Sequence, residues 1–123
     1  MLNLSWSSGS NRVEFFTVEV QCGAEVTLRC SNSSSVLKHL WWFHMSDQSN
    51  ISQICSMYDP KGNVTFYSPA WRDKYTMSSN ISTLFLTVKK VVSSDDGLYF
   101  CGEIMREKPV IFTATFLKIQ GNI

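Results

Sequence analysis

The 123-residue sequence predicts an all-β domain, a sandwich or barrel of short strands. Two observations carry this. Apolar and polar residues alternate with period two: Val26, Leu28 and Cys30 against Thr27 and Arg29, then Leu84, Leu86 and Val88 against Phe85 and Thr87. Stretches rich in aromatic and β-branched residues, 98–102 and 110–119, are set apart by Ser, Asn, Asp and Gly clusters such as 31–35 and 46–50. Helical periodicity is nearly absent, apart from one turn expected at 93–97. The length suits a single core, and no internal repeat is present.

Composition narrows the function. The formal net charge is +1 and no run of five like charges occurs, so nucleic acid and anionic membrane surfaces are not expected partners. No apolar run approaches the roughly 18–20 residues of a membrane-spanning helix. Residues 1–10 lack the basic and apolar regions of a signal peptide, and Met1 reads as an added initiator ahead of a mature ectodomain. Any membrane anchor is then expected outside this sequence. Sequons begin at Asn3, Asn32, Asn50, Asn63 and Asn80, and the four cysteines lack Cys-x-x-Cys spacing. Both features point to an oxidising, secretory compartment.

The cysteines also carry the fold. Cys30 ends one alternating segment, Trp42 follows it by twelve positions, and Cys101 by seventy-one. Asp95, Gly97 and Tyr99 stand six, four and two residues before Cys101. With these spacings the chain resembles the immunoglobulin superfamily, specifically its V-set, over roughly residues 13–119. Trp42-Phe43-His44-Met45 is similar to the family's Trp-Tyr-Arg/Lys-Gln strand, and Lys74-Tyr75 to the Arg-Phe that opens its fourth strand. The stretch from Met57 to Gly97, 40 positions further on, leaves room for the extra C′ and C″ strands of the V type.

The resemblance implies a V-set β-sandwich of two antiparallel sheets with Greek-key connections. It implies a Cys30–Cys101 disulfide, Trp42 packed on it, a tyrosine corner at Tyr99, and a Lys74–Asp95 ion pair at the base. Residues 1–12 are expected to be an extension, 13–120 the domain and 121–123 the start of a stalk. Gly97-Leu98-Tyr99-Phe100-Cys101-Gly102 and the ending 115–120 resemble the novel immune-type receptors of bony fish. One departure is that Phe112 precedes Thr113-Ala114-Thr115, where that family often carries Phe-Gly-x-Gly, whose glycines form a bulge.

Catalytic constellations are weak. His39 and His44 flank the tryptophan strand with no serine or cysteine motif, and Gly-x-Ser-x-Gly is absent. Cys22, Cys55 and a histidine lack metal-ligand spacing, so neither metal nor cofactor is expected. Asp95 and Asp96 read as an ion-pair partner and a turn residue rather than an acid–base pair. Cys22 and Cys55 leave three states open: an internal bridge, free thiols, or links to another chain.

A binding module is the remaining class, not an enzyme. The resemblance places loops at 31–38, 58–63 and 103–110. Tyr58 and Lys61, with Glu103, Ile104, Met105, Arg106, Glu107 and Lys108, are the expected contacts to a protein ligand on another cell. Strand parity adds a second surface. If Trp42, Tyr99 and Cys101 face inward, then Trp41, Phe43, Met45 and Phe100 face outward. Phe112 resembles the joining-segment Phe and completes an expected pairing face, for a homodimer or a V–V hetero-pair. The implied function is ligand recognition by an immune-type receptor on the extracellular side of the plasma membrane. The alternative is a co-receptor or adhesion-type domain whose main role is dimerisation.

Overall fold

The alternating segments become strands that close over one interior. A computed structural model describes residues 13–31, 39–47, 50–57, 63–80, 83–105 and 108–121. Strands β1 (Glu14–Gln21), β3 (His39–Asp47), β4 (Asn50–Met57), β5 (Thr65–Phe66), β8 (Gly97–Met105) and β9 (Lys108–Gln120) form the front sheet, in the order β1-β9-β8-β3-β4-β5. Strands β2 (Val26–Ser31), β6 (Tyr75–Ser79) and β7 (Thr83–Val88) form the back sheet, in the order β2-β7-β6. Pairing is antiparallel except between β1 and β9, which run parallel from Glu14↔Thr113 to Gln21↔Gln120. The turn expected at 93–97 is a 3₁₀ turn, Ser93–Asp95; a second, Pro69–Arg72, precedes β6.

Period two explains the core. Leu28, Cys30, Leu84, Leu86 and Val88 point inward from the back sheet, while Leu40, Trp42, Ile54, Tyr99, Cys101 and Leu117 meet them from the front. Each large side chain taken out of water here contributes about 1.5–3 kcal/mol. Cys30 and Cys101 join the sheets through a disulfide with Cα atoms 6.1 Å apart, and Trp42 lies opposite Cys101 in the same core.

The base is closed by polar contacts. The Tyr99 hydroxyl donates to the Asp95 carbonyl at 2.7 Å, tying β8 to the chain that enters it. Lys74 Nζ stands 2.6 Å from Asp95 Oδ2, which also accepts the Val92 N–H at 2.8 Å. Gly97 has φ +131, and a Cβ there would meet the Met45 carbonyl at 2.5 Å, so β8 can start beside β3 only with glycine. Residues 1–12 and 122–123 lie outside the described residues.

Candidate recognition face and loop end

Residues directly opposite each other on neighbouring strands carry their side chains to one face. Phe15 on β1 is opposite Ala114 on β9, Ala114 opposite Phe100 on β8, and Phe100 opposite Phe43 on β3. A second row runs Phe116, Leu98, Met45, Ile51 from β9 to β4. Both rows lie on the outer side of the front sheet: Trp42, Tyr99, Cys101, Thr113, Thr115 and Leu117, which alternate with them on β3, β8 and β9, are buried on the inner side. Trp41, Phe100 and Ala114 form a buried outer cluster, ringed by partly buried Val13, Phe43, Met45, Leu98, Ile104 and Ile111. Trp41 meets Phe43 and Phe100 edge-on at 5.0 and 6.1 Å, and Phe43 stacks on Phe100 at 5.5 Å. Phe15 remains 62% exposed and Phe116 44%. An apolar surface continuous over five strands is a feature that association surfaces share.

The face differs from the sequence expectation in two respects. Trp41 and Phe100 point outward as parity requires, yet their neighbours bury both. The three rings pack on one another over the small Ala114 and Gly102, and so shield themselves. Phe112 is not on this face: it packs against the main core, and Ile111 takes the outer position. The cause is a register shift. Cys101 faces Thr113 but Gly102 faces Ile111, so Phe112 is an extra residue that inverts the alternation of β9. The shift needs no glycine on β9, because the glycine lies opposite. A Cβ on Gly102 would overlap the Val110 carbonyl oxygen and meet Trp41 at 2.9 Å.

The loop end is narrower than expected. Glu103↔Val110, Ile104↔Pro109 and Met105↔Lys108 continue the β8–β9 ladder, so most of 103–110 is strand. Glu103 shares the inward parity of Tyr99 and Cys101 and is buried, and Ile104 packs with the outer cluster. Neither stands at a loop tip, where the sequence reading set them. Tyr58, Lys61, Arg106 and Glu107 lie outside the described residues, as do 32–38.

A sequence-family model for the immunoglobulin V-set domain matches residues 16–120. The chain belongs to the immunoglobulin V-set family. Its fold is similar to that of an extracellular fragment of novel immune-type receptor 11 from Ictalurus punctatus, at 25% identity and TM-score 0.73, over 88% of this chain and 86% of that one. Novel immune-type receptor 10 of the same fish matches at 24% and 0.73, over 85% and 97%. A marsupial T cell receptor matches at 17% and 0.78, over 90% of this chain and 53% of that one. The sequence resemblance to the fish receptors therefore extends to the fold.

Other singled-out residues of this V-set domain have structural settings. His44 faces inward, stacks on Tyr99 at 4.2 Å, and its Nε2 lies 2.9 Å from the Asp96 carbonyl oxygen. A carbonyl only accepts, so that nitrogen carries the proton, and burial lowers the ring's pKa. Cys22 and Cys55 are free thiols. Cys55 is buried 3.4 Å from Met77 Sδ, and burial pushes its thiol up to about 12, so it is closed to another chain. Cys22 is half-buried in the turn after β1. Asn50, Asn63 and Asn80 are exposed, and Asn80 Oδ1 accepts the Thr83 N–H at 2.8 Å across the β6–β7 turn. Asn3 and Asn32 lie outside the described residues. Among the described residues no cluster of His, Cys, Asp and Glu is placed to hold a metal ion, and no helix is long and apolar enough to cross a membrane.

Proposed function

We propose that this V-set domain is the ligand-recognition ectodomain of a cell-surface immune-type receptor. It pairs through its front sheet and presents its loop end to a protein on another cell. The observation that supports this is the apolar front face, with Phe15, Phe116 and Ile51 exposed around the Trp41–Phe43–Phe100 cluster. Pairing two such faces by a two-fold axis buries the same patch on each partner and sets both loop ends side by side. Aromatic side chains supply contact area there with little entropy loss on association, and Met45 adds an adaptable contact.

A second reading has one observation in its favour. The ladder runs to Met105↔Lys108, so the third loop has a two-residue tip. Little chain is left there for varied recognition, which favours a co-receptor or adhesion role centred on pairing. Staining of cells with a multimerised domain separates the two. On the first reading, replacing Tyr58, Lys61, Arg106 and Glu107 together abolishes staining while the domain stays folded. Staining that survives this change and disappears with Phe43→Glu supports the second.

A further inference from the structure

The front sheet ends in a short, open edge. β5 holds two residues and closes the strand order, so among the described residues no strand lies beyond it. The chain through this edge alternates. Val64 and Phe66 pack on the core, while Asn63, Thr65 and Tyr67 are exposed and turn to the outer side. Asn63-Val64-Thr65 is a sequon, so its acceptor amide and its hydroxyl share one wet face.

Tyr67 is 49% exposed, yet it is held at both ends. Its N–H donates to the Ile54 carbonyl at 3.1 Å, and its hydroxyl lies 2.7 Å from Ser56 Oγ. Ser56 is opposite Thr65 in the β4–β5 register, so the ring leans back from its own position toward Thr65 and Asn63. A ring already fixed loses little entropy when a second flat apolar surface is laid on it. At a rise of about 3.3 Å per residue, the Cα atoms of Asn63 and Tyr67 stand about 13 Å apart. The lean of the ring shortens that gap to the reach of an asparagine side chain and one sugar.

We propose that Asn63 carries an N-linked glycan whose first N-acetylglucosamine lies along Thr65 and stacks on the Tyr67 ring, capping the β5 edge. The donor is a lipid-linked oligosaccharide diphosphate. Asn63 Nδ2 forms a bond to the anomeric carbon of the sugar. The bond from that carbon to the diphosphate breaks, and the lipid diphosphate leaves with its electron pair. The amide proton passes to a base of the transferring enzyme. The C–H face of the sugar rests on the aromatic ring, and its hydroxyls stay in water. A sugar held there covers the last strand and blocks edge-to-edge association through it. It also stands at the β4–β5 border of the outer face and leaves the strands from β3 to β1 open. Edge capping does not depend on pairing through that face.

The test compares two forms of the full chain. One is secreted from eukaryotic cells and trimmed enzymatically to single N-acetylglucosamines; the other is refolded from bacteria. Peptide mass mapping should find Asn63 modified in the secreted form. Nuclear Overhauser contacts should run from the C–H protons of that sugar to the Tyr67 ring. Hydrogen exchange at the Tyr67 amide, which pairs with Ile54, should be about fivefold slower than in the refolded form. Secreted Tyr67→Leu should keep the sugar at Asn63 and lose both the contacts and the slowing. Secreted Asn63→Gln keeps the ring and the other sequons, and its Tyr67 amide should exchange as in the refolded form. An unmodified Asn63, a sugar without contacts to Tyr67, or slowing that persists in either variant overturns the proposal.

Discussion

Breaking the Lys74–Asp95 pair from its two sides should have unequal effects. Lys74 is 25% exposed and keeps a second acceptor, the Lys90 carbonyl at 3.2 Å, whereas the Asp95 side chain is 8% exposed. Asp95→Asn retains an acceptor for the Val92 N–H and leaves an ammonium that water reaches. Its cost should lie just above the exposed-pair range, about 1–2 kcal/mol. Lys74→Met strands a carboxylate in the base of the sandwich and should cost more, about 2–3 kcal/mol, below the roughly 3–5 of a fully buried pair. At about 4 °C per kcal/mol for a domain of this size, melting should fall by about 4–8 °C and about 8–12 °C respectively. Denaturant unfolding of both single variants and the double variant gives the coupling, expected above about 1 kcal/mol. Lys74→Met within about 0.5 kcal/mol of wild type, or a coupling near zero, would falsify this account of the base.

Other perturbations follow from the same structure. Gly102→Ala must push β9 away at its bulge as well as displace the Trp41 ring, and should cost about 1–3 kcal/mol with an altered near-ultraviolet circular dichroism spectrum; an unchanged spectrum and stability would contradict the packing described. Cys30→Ser opens a 71-residue span and should cost about 2–5 kcal/mol by denaturant unfolding. Native thiol counting should find Cys22 reactive and Cys55 silent until the domain unfolds. Burial raises the acid groups Cys55 and Tyr75 to about 12 and Tyr99 higher still. The unfolded chain therefore loses these protons first, and stability should fall steadily above about pH 9, reaching a slope of about 4 kcal/mol per pH unit when all three differ. His44 acts at the other end. Its pKa is lowered in the fold, so the unfolded chain binds that proton first and stability should fall as pH drops below about 6.5. A flat thermal-melting profile across either window would contradict these settings.

The spacing of Cys30, Trp42, Tyr99 and Cys101 made the sandwich legible, because each residue has a covalent or packing role that tolerates little shift. Parity along β3 and β8 likewise set Trp41, Phe43, Met45 and Phe100 outward, since those strands keep their alternation through these residues. Phe112 was misread because one extra residue in β9 inverts its parity, and Gly102, which makes room for it, lies on the opposite strand. Phe15, Phe116 and Ile51 were missed for another reason. Their place on the front face depends on which strands pair, and the parallel β1–β9 register has no local signature. Alternation of Ala114 and Phe116 with Thr113, Thr115 and Leu117 was the signal available for β9. The third loop was read too long because composition marks Glu103–Val110 as charged and Pro-containing, while the ladder is decided by its partner strand.

Sedimentation equilibrium of the domain over a wide concentration range bears most directly on the front face as a pairing surface. A two-fold dimer is expected at high concentration. Phe43→Glu and Phe116→Glu should each hold the protein monomeric and folded by circular dichroism, with melting close to wild type for the exposed Phe116 and lowered for Phe43, which loses its ring contacts to Trp41 and Phe100. Phe112→Glu should instead destabilise the fold. A wild-type domain that sediments as a monomer throughout, indistinguishable from the Phe43→Glu and Phe116→Glu variants, would contradict self-pairing through this face.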